Sequence, residues 1–284
     1  MKATLEQIEN SSYVPKAKDI LRVSKSSLMT YKMCPRQYFW RYVADIPKSP
    51  PTDAMIRGVA IHNVMESGLL EGYEAVEQAA VENDVVFDSA VDSLTSLIHQ
   101  IADYFGTLEV VEAEIKHQVY DNFNGAEIIW VGMVDGILRH PEGGLVLVEL
   151  KTGNMSVGKL QRTRQELCYY NMILKKLGYD EITHFLYIAP DYELLTDRED
   201  KLLLEGQKKG KEVWLGNYNG IAILEPLSSR SINAFEKALN KNVSSLVTQD
   251  YPMNWNEFFC LEWCDFSDSC QDELLGLVGG MFDL

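Results

Sequence analysis

No window of the 284-residue sequence approaches the roughly 20 consecutive apolar residues that a membrane span requires. The first ten residues carry two acids and no apolar stretch of signal-peptide length, which predicts cytosolic residence. No Gly-rich loop ends in Gly-Lys-Ser or Gly-Lys-Thr, so a phosphate-binding helicase motor is not expected. Cysteine is sparse and odd in number: Cys34, Cys168, Cys260, Cys264 and Cys270. That count suits metal binding in a reducing compartment better than a disulfide framework. Basic residues are scarce too, 26 against 42 acids for a net charge of −16, a balance that at first argues against a nucleic-acid partner. The distribution changes this inference. Gly58 to Ile115 contains twelve acids and no Lys or Arg, whereas Pro15 to Pro50 holds eight basic residues against two acids, and Lys151 to Lys176 six against one.

With 46% hydrophobic residues, the chain has enough apolar material for one large domain with a substantial core. Ser24 or Ser26 is a plausible cap for a helix running to Val43, interrupted near Cys34-Pro35. A second helix is expected over Met55 to Leu70, and an acidic, amphipathic helical stretch over Tyr73 to Phe105. Val110 to Tyr120, Glu127 to Leu138 and Leu145 to Lys151 then read as a three-strand meander. Lys159 to Leu177 returns to helical spacing and stops at Gly178. A buried strand follows over Thr183 to Ala189, and a charged excursion over Asp191 to Lys211. Two short strands between Glu212 and Leu224 and a helix over Ser228 to Val247 complete the pattern.

The chemistry concentrates on two adjacent strands. Asp135 lies in Gly132-Met133-Val134-Asp135-Gly136, and Glu149-Leu150-Lys151 lies across the turn from it. Strand alternation puts Glu149 and Lys151 on one face, and the hairpin register brings Asp135 opposite Glu149. Magnesium or manganese favours oxygen ligands, so Asp135, Glu149 and the Leu150 carbonyl make a credible cage, with Lys151 able to orient an attacking water. A surface ion pair is the alternative. His62 can add an imidazole ligand from the preceding helix. Gln165 and Tyr169, four apart on the next helix, point the same way and could hold substrate or the lysine.

In this order, His62, Gly132 to Asp135, Glu149 to Gly153 and Gln165 to Tyr169 resemble the RecB-like nuclease motifs of the PD-(D/E)xK superfamily, over roughly residues 24 to 190. The resemblance implies an α/β core with a central mixed sheet flanked by helices. It also implies a metal held by His62, Asp135, Glu149 and the Leu150 carbonyl, a catalytic Lys151, and supporting roles for Gln165 and Tyr169. The expected organisation is a single nuclease domain over 1–284: a helical part at 24–106, a catalytic core at 107–226, and a C-terminal helix with the cysteine cluster at 227–284.

Cys34, followed by Pro35-Arg36, and the trio Cys260, Cys264 and Cys270 are similar to the iron–sulfur subgroup that includes the CRISPR-associated RecB-like exonucleases and the AddB nuclease domain. That similarity implies a [4Fe–4S] cluster clasping the N- and C-terminal segments. Leu261-Glu262-Trp263 puts three residues where the subgroup usually has two. A four-cysteine zinc site and buried free thiols are the alternatives, and Cys168 reads as core.

The expected function is a DNA exonuclease or end-trimming enzyme preferring single strands, in recombination, phage DNA processing or CRISPR adaptation. Arg36, Arg41, Arg162 and Arg164 are the expected DNA contacts, with Tyr38, Trp40 and Tyr42 either stacking on bases or filling the core. Two alternatives compete: an inactive scaffold binding a protein partner through its acidic helices, and a DNA-mimicking protein.

Overall fold

The structure is a computed structural model that describes residues 20–44, 46, 50–153, 156–193, 210–217 and 219–275. Most of the charged excursion expected over Asp191 to Lys211, and the residues considered for a signal segment, lie outside that set. Among the described residues, no helix is long and apolar enough to cross a membrane. The described residues gather into two compact units, one drawn from 52–119 and 131–236, the other from 20–51, 120–130 and 237–275.

In the larger unit, α3 (Asp53–Glu71) starts at Thr52, whose side chain accepts the Met55 N–H. The acidic stretch that follows is two helices, α4 (Ala75–Glu82) and α5 (Ser89–Phe105), because Asp84 takes a positive φ of 56° and Asp88 caps the new helix through the Ala90 N–H. The meander is present as expected: β2 (Val110–Phe123), β3 (Ala126–Arg139) and β4 (Leu145–Leu150). Helix α6 (Val157–Leu177) runs from a Ser156 cap to a left-handed Gly178 and leads into β5 (Ile182–Ala189). Strands β6 (Glu212–Leu215) and β7 (Ile221–Pro226) end the sheet, and α7 (Ser229–Val247) begins in this unit.

Strand order is β3-β4-β5-β7-β6, with β2 paired to β3. The β4–β5 pair is parallel and the β3–β4, β5–β7 and β6–β7 pairs are antiparallel, so the sheet is mixed. All six residues of β4 are buried, as a strand flanked on both sides and covered on both faces must be. Val146, Val148 and Leu150 join Leu186, Ile188 and Leu224 in a core that α3, α4 and α5 cover with Ile61, Met65, Val76, Leu94 and Ile98. Alternation turns Leu147, Glu149 and Lys151 to the opposite face, where α6 packs.

The smaller unit holds β1 (Leu21–Ser24), α1 (Lys25–Met33), the short α2 (Pro35–Tyr38) and a π-helical turn over Phe39–Val43. Strand β1 pairs with β3, whose first residues belong to this unit. The expected interruption at Cys34-Pro35 is where α1 ends, since Pro35 fits the first turn of a new helix but cannot continue the old one. Two helices that the sequence reading did not anticipate, α8 (Glu257–Trp263) and α9 (Ser267–Leu274), carry the C-terminal cysteines. Segments from the two ends of the chain thus share one core, built of Phe39, Trp40, Ile46, Cys264, Phe266 and Cys270.

At one end of the larger unit's sheet, His140 and His184 stack with ring centroids 4.1 Å apart and planes 6° from parallel. Burial pushes both imidazoles below their ordinary value, and the His140 ring lowers His184 further. The Glu142 N–H donates to His140 Nδ1 at 3.2 Å, a bond that requires Nδ1 to be unprotonated. Because both groups bind protons more weakly folded than unfolded, stability falls as pH drops below the unfolded value of about 6.5. The double substitution His140→Asn/His184→Asn is expected to flatten the fall in melting temperature between pH 7.5 and 5.5. An unchanged pH slope would contradict this reading.

Candidate active site

Asp135 and Glu149 are nearly withdrawn from water, 7% and 1% exposed. The β3–β4 ladder runs to the Gly136–Val148 pair, and continuing its register sets Asp135 opposite Glu149, as the sequence predicts. The Asp135 carboxylate also turns into the ladder: Oδ2 accepts the Leu150 N–H at 2.7 Å. A strand residue directs its N–H and C=O to the same edge, so the Leu150 carbonyl faces the β3 side as well. On the other edge, the Lys151 N–H donates to the Ile188 carbonyl at 2.8 Å, which anchors the strand end to β5.

His62 projects from the third turn of α3. Its Nδ1 lies 3.2 Å from Glu114 Oε1 and 3.8 Å from Asp135 Oδ2. His62, Glu114 and Asp135 each offer a ligand atom, all within 4.8 Å of one another. One imidazole nitrogen and two carboxylate oxygens are a donor set for magnesium, manganese or a similar divalent ion, and the Leu150 carbonyl and Glu149 stand beside it. Burial alone pushes the His62 pKa down, but the Glu114 hydrogen bond and the charges of Asp135, Glu114 and Glu149 raise it overall. Glu66, one turn along α3, is raised by burial and by the same Glu114 charge.

Glu114 was not among the sequence candidates. It sits in β2 with a φ of 49°, a left-handed conformation that a side-chain-bearing residue adopts at a cost. The signal available in the sequence was the acidic alternation Glu112-Ala113-Glu114 within a β-rich run, but alternation alone does not reveal the left-handed backbone at Glu114.

Lys151 extends from the end of β4 between two acids. Its ammonium contacts the Glu149 carboxylate and lies 2.9 Å from Glu166 Oε2 on α6. Tyr169 is fully buried and its hydroxyl donates to the Val131 carbonyl at 3.0 Å, so it braces β3, while Gln165 is exposed. The tyrosine nearer the carboxylates is Tyr170. Burial and the charges of Glu149 and Asp135 raise its pKa, and its ring lies against Gly132, where an added Cβ would come within 3.1 Å. Gly132 is therefore small because Tyr170 occupies the space above it.

The predicted DNA-contact arginines divide. Arg162 is exposed on α6. Arg164 pairs twice with the buried carboxylate of Glu225, at 2.5 and 2.6 Å, and Tyr187 donates to the same acid. Arg36 and Arg41 pair with Glu273 and Asp265 in the smaller unit, at 2.9 and 3.3 Å. Tyr38 and Trp40 are core residues: Tyr38 stacks on Tyr251, and Trp40 packs with Phe39 and Phe266. Buried rings of this kind are not available for base stacking, so for both the core alternative holds.

Cys34, Cys260, Cys264 and Cys270 are all buried in the smaller unit. Burial raises the Cys264 thiol, with Cys260 and Cys34 adding to the shift. It also pushes Cys270 up to about 12, with Cys264 and Cys34 adding. The Asn256 N–H points at Cys260 Sγ from 3.4 Å. Cys168 is core, as expected, its thiol also pushed up to about 12 by burial.

A family model for the PD-(D/E)XK nuclease superfamily matches residues 22–271. The chain belongs to that superfamily, and with it to a class of metal-dependent phosphodiester-cleaving nucleases that act on nucleic acid. A solved structure, that of SSO0001, aligns at 15% identity over 93% of this chain and 92% of its own, with a TM-score of 0.42. No curated protein matches.

Glu114→Gln is expected to weaken Mn2+ binding about tenfold or more, as loss of a carboxylate at a metal site does. It should also lower the His62 pKa, because a principal raising influence disappears. Calorimetric Mn2+ titration and NMR titration of the His62 ring check both effects, and an unchanged affinity would remove Glu114 from the site.

Proposed function

We propose that this chain is a magnesium- or manganese-dependent DNA nuclease that trims DNA from free ends, preferring single strands, and that it carries a [4Fe–4S] cluster. The nuclease reading rests on one observation above all: His62, Glu114 and Asp135 meet beside Glu149 and Lys151 on a scaffold whose family cleaves phosphodiesters. A divalent cation in this donor set would supply Lewis acidity to a phosphoryl oxygen and make bound water more acidic. The protein's own groups do the rest. His62, Glu114 and Asp135, with Glu149 and the Leu150 carbonyl beside them, would hold the cation, and Glu166 pairs with Lys151 alongside Glu149. Lys151 then orients the attacking water or neutralises charge on the scissile phosphate. Tyr169 supports the site through Val131, and Gln165, exposed on the same helix, meets the substrate. Arg162 is the phosphate contact this reading favours, since Arg36, Arg41 and Arg164 are committed to Glu273, Asp265 and Glu225.

The end and strand preferences rest on the motif resemblance to RecB-like exonucleases, as do the candidate settings of recombination, phage DNA processing and CRISPR adaptation. The cluster reading has a physical argument beside its resemblance. Four buried cysteines meet in the smaller unit, and burial with neighbouring cysteines raises Cys264 and Cys270, so ionising these thiols together calls for a cationic centre among them. The Asn256 N–H toward Cys260 is the kind of donor that tunes cluster sulfurs.

End-labelled linear single- and double-stranded DNA and closed circular single strands, incubated with and without Mg2+ or Mn2+, test the activity. Metal-dependent loss of linear single strands with circles spared is the expected result. Asp135→Ala, Glu149→Ala and Lys151→Ala should each reduce cleavage by on the order of a thousandfold or more, and double variants should lose little further. Wild-type cleavage by folded Glu149→Ala protein would sink the nuclease reading, and rapid cutting of circles would sink the end preference. Anaerobically purified protein should be brown, with roughly four iron and four sulfide per chain. Cys34→Ala, Cys264→Ala or Cys270→Ala should bleach it, and Cys168→Ala should not. A colourless protein with one zinc per chain would refute the cluster.

A further inference from the structure

Arg57 lies on α3 five residues before His62, and its guanidinium is gripped by two carboxylates. Nε and Nη2 donate to Asp88 at 2.5 and 2.6 Å, and Nη1 and Nη2 donate to Asp191 at 2.9 and 2.6 Å. Asp191, just past the end of β5, has a second duty: its Oδ2 accepts the Gly153 N–H at 2.6 Å. Gly153 is two residues beyond Lys151 and has a φ of +77°. The same turn is held from α6, where the Lys159 ammonium donates to the Thr152 and Gly153 carbonyls at 3.0 and 3.3 Å. It is held from α3 as well, because Gly58 lies so close to Thr152 that a Cβ there would meet Thr152 Oγ1 at 3.3 Å.

These contacts converge on a place the sheet does not secure. Strand β4 ends at Leu150, and the last ladder-like bond is from the Lys151 N–H to Ile188. Beyond it, the chain that carries Lys151 is fixed through Gly153 and Asp191, and Asp191 is fixed through Arg57 to the helix that carries His62. Asp88, which also caps α5 through the Ala90 N–H, supports Arg57 from behind. The charges agree with the geometry: burial alone would raise Asp191, but the Arg57 hydrogen bonds and the Gly153 N–H hold it below its ordinary value.

We propose that Arg57 and Asp191 form a clamp that sets the spacing between His62 and the Glu149–Lys151 strand end, making both of them positioning residues of the metal site. The proposal rests on the nuclease reading for its catalytic consequence, and on the geometry alone for its effect on metal binding. A fork of four hydrogen bonds shared by two acids fixes orientation as well as distance, which an ammonium cannot do.

The test uses the full chain with Arg57→Ala, Arg57→Lys and Asp191→Asn, and Arg139→Ala as a control. Arg139 likewise bridges two carboxylates, Glu109 and Asp180, but at the other end of β3 from Asp135, where it is partly exposed. Three quantities are read: Mn2+ affinity by calorimetry, kcat and KM on single-stranded DNA, and the folded fraction by circular dichroism. Arg57→Ala and Asp191→Asn should weaken Mn2+ binding and lower kcat by about ten- to a hundredfold with KM for DNA little changed, as expected when site geometry loosens. Arg57→Lys should fall between, the Arg57→Ala/Asp191→Asn double variant should be no worse than the poorer single, and Arg139→Ala should match wild type. Folded Arg57→Ala and Asp191→Asn proteins with wild-type Mn2+ affinity and kcat would overturn the clamp, as would losses equal to the unfolded fraction in every variant. If the wild type cleaves no DNA, the nuclease reading fails and the Mn2+ affinities alone decide the clamp.

Discussion

Asp135 and Glu149 are brought to one strand register and then almost sealed from water, and the rest of the larger unit is arranged around that fact. Like charges at such separation repel, and burial penalises each of them further, so the arrangement persists only with cations at hand. Lys151 supplies one, reaching back to Glu149 and across to Glu166. His62 and the backbone N–H of Leu150 offer partial compensation, and a divalent ion among His62, Glu114 and Asp135 would complete it.

The fold explains why these groups can be held so closely. Strand β4 is buried along its whole length, with β3 antiparallel on one edge and β5 parallel on the other, so its end has little freedom. Helix α3 lays Ile61 and Met65 into the core beside Val148, which fixes the face from which His62 projects. Helix α6, capped at both ends, brings Glu166 to Lys151 and sends Tyr169 to the backbone of β3. Arg57 and Asp191 then join the helix to the turn that follows the lysine, where the ladder no longer acts.

Much of this was legible in the sequence because it is local. The meander, the buried β5 and α6 with its Gly178 stop follow from periodicity and turn chemistry, and so does the opposition of Asp135 and Glu149. What stayed hidden depends on contacts between distant segments. Glu114 reaches His62 from a left-handed position in β2, and no spacing rule encodes that. Arg164 reads as an exposed cation in a basic stretch, yet Glu225 on a strand 61 positions away claims it. Tyr38 and Trp40 interleave with basic residues as base-stacking aromatics would, but Tyr251 and Phe266 from the far end of the chain close over them. Helices α8 and α9 escaped notice because they are short and owe their order to packing around the cysteines more than to an amphipathic period.

The central claim is that His62, Glu114 and Asp135 share one divalent ion next to Glu149 and Lys151. Anomalous diffraction from crystals grown with Mn2+ addresses it without reference to activity. The account predicts a single strong anomalous peak within bonding distance of the His62 ring and the Asp135 carboxylate, with Glu114 or Glu149 completing the contact. Saturating Mn2+ with no peak among these residues, or with the ion bound elsewhere while His62 stays on Glu114, would contradict it.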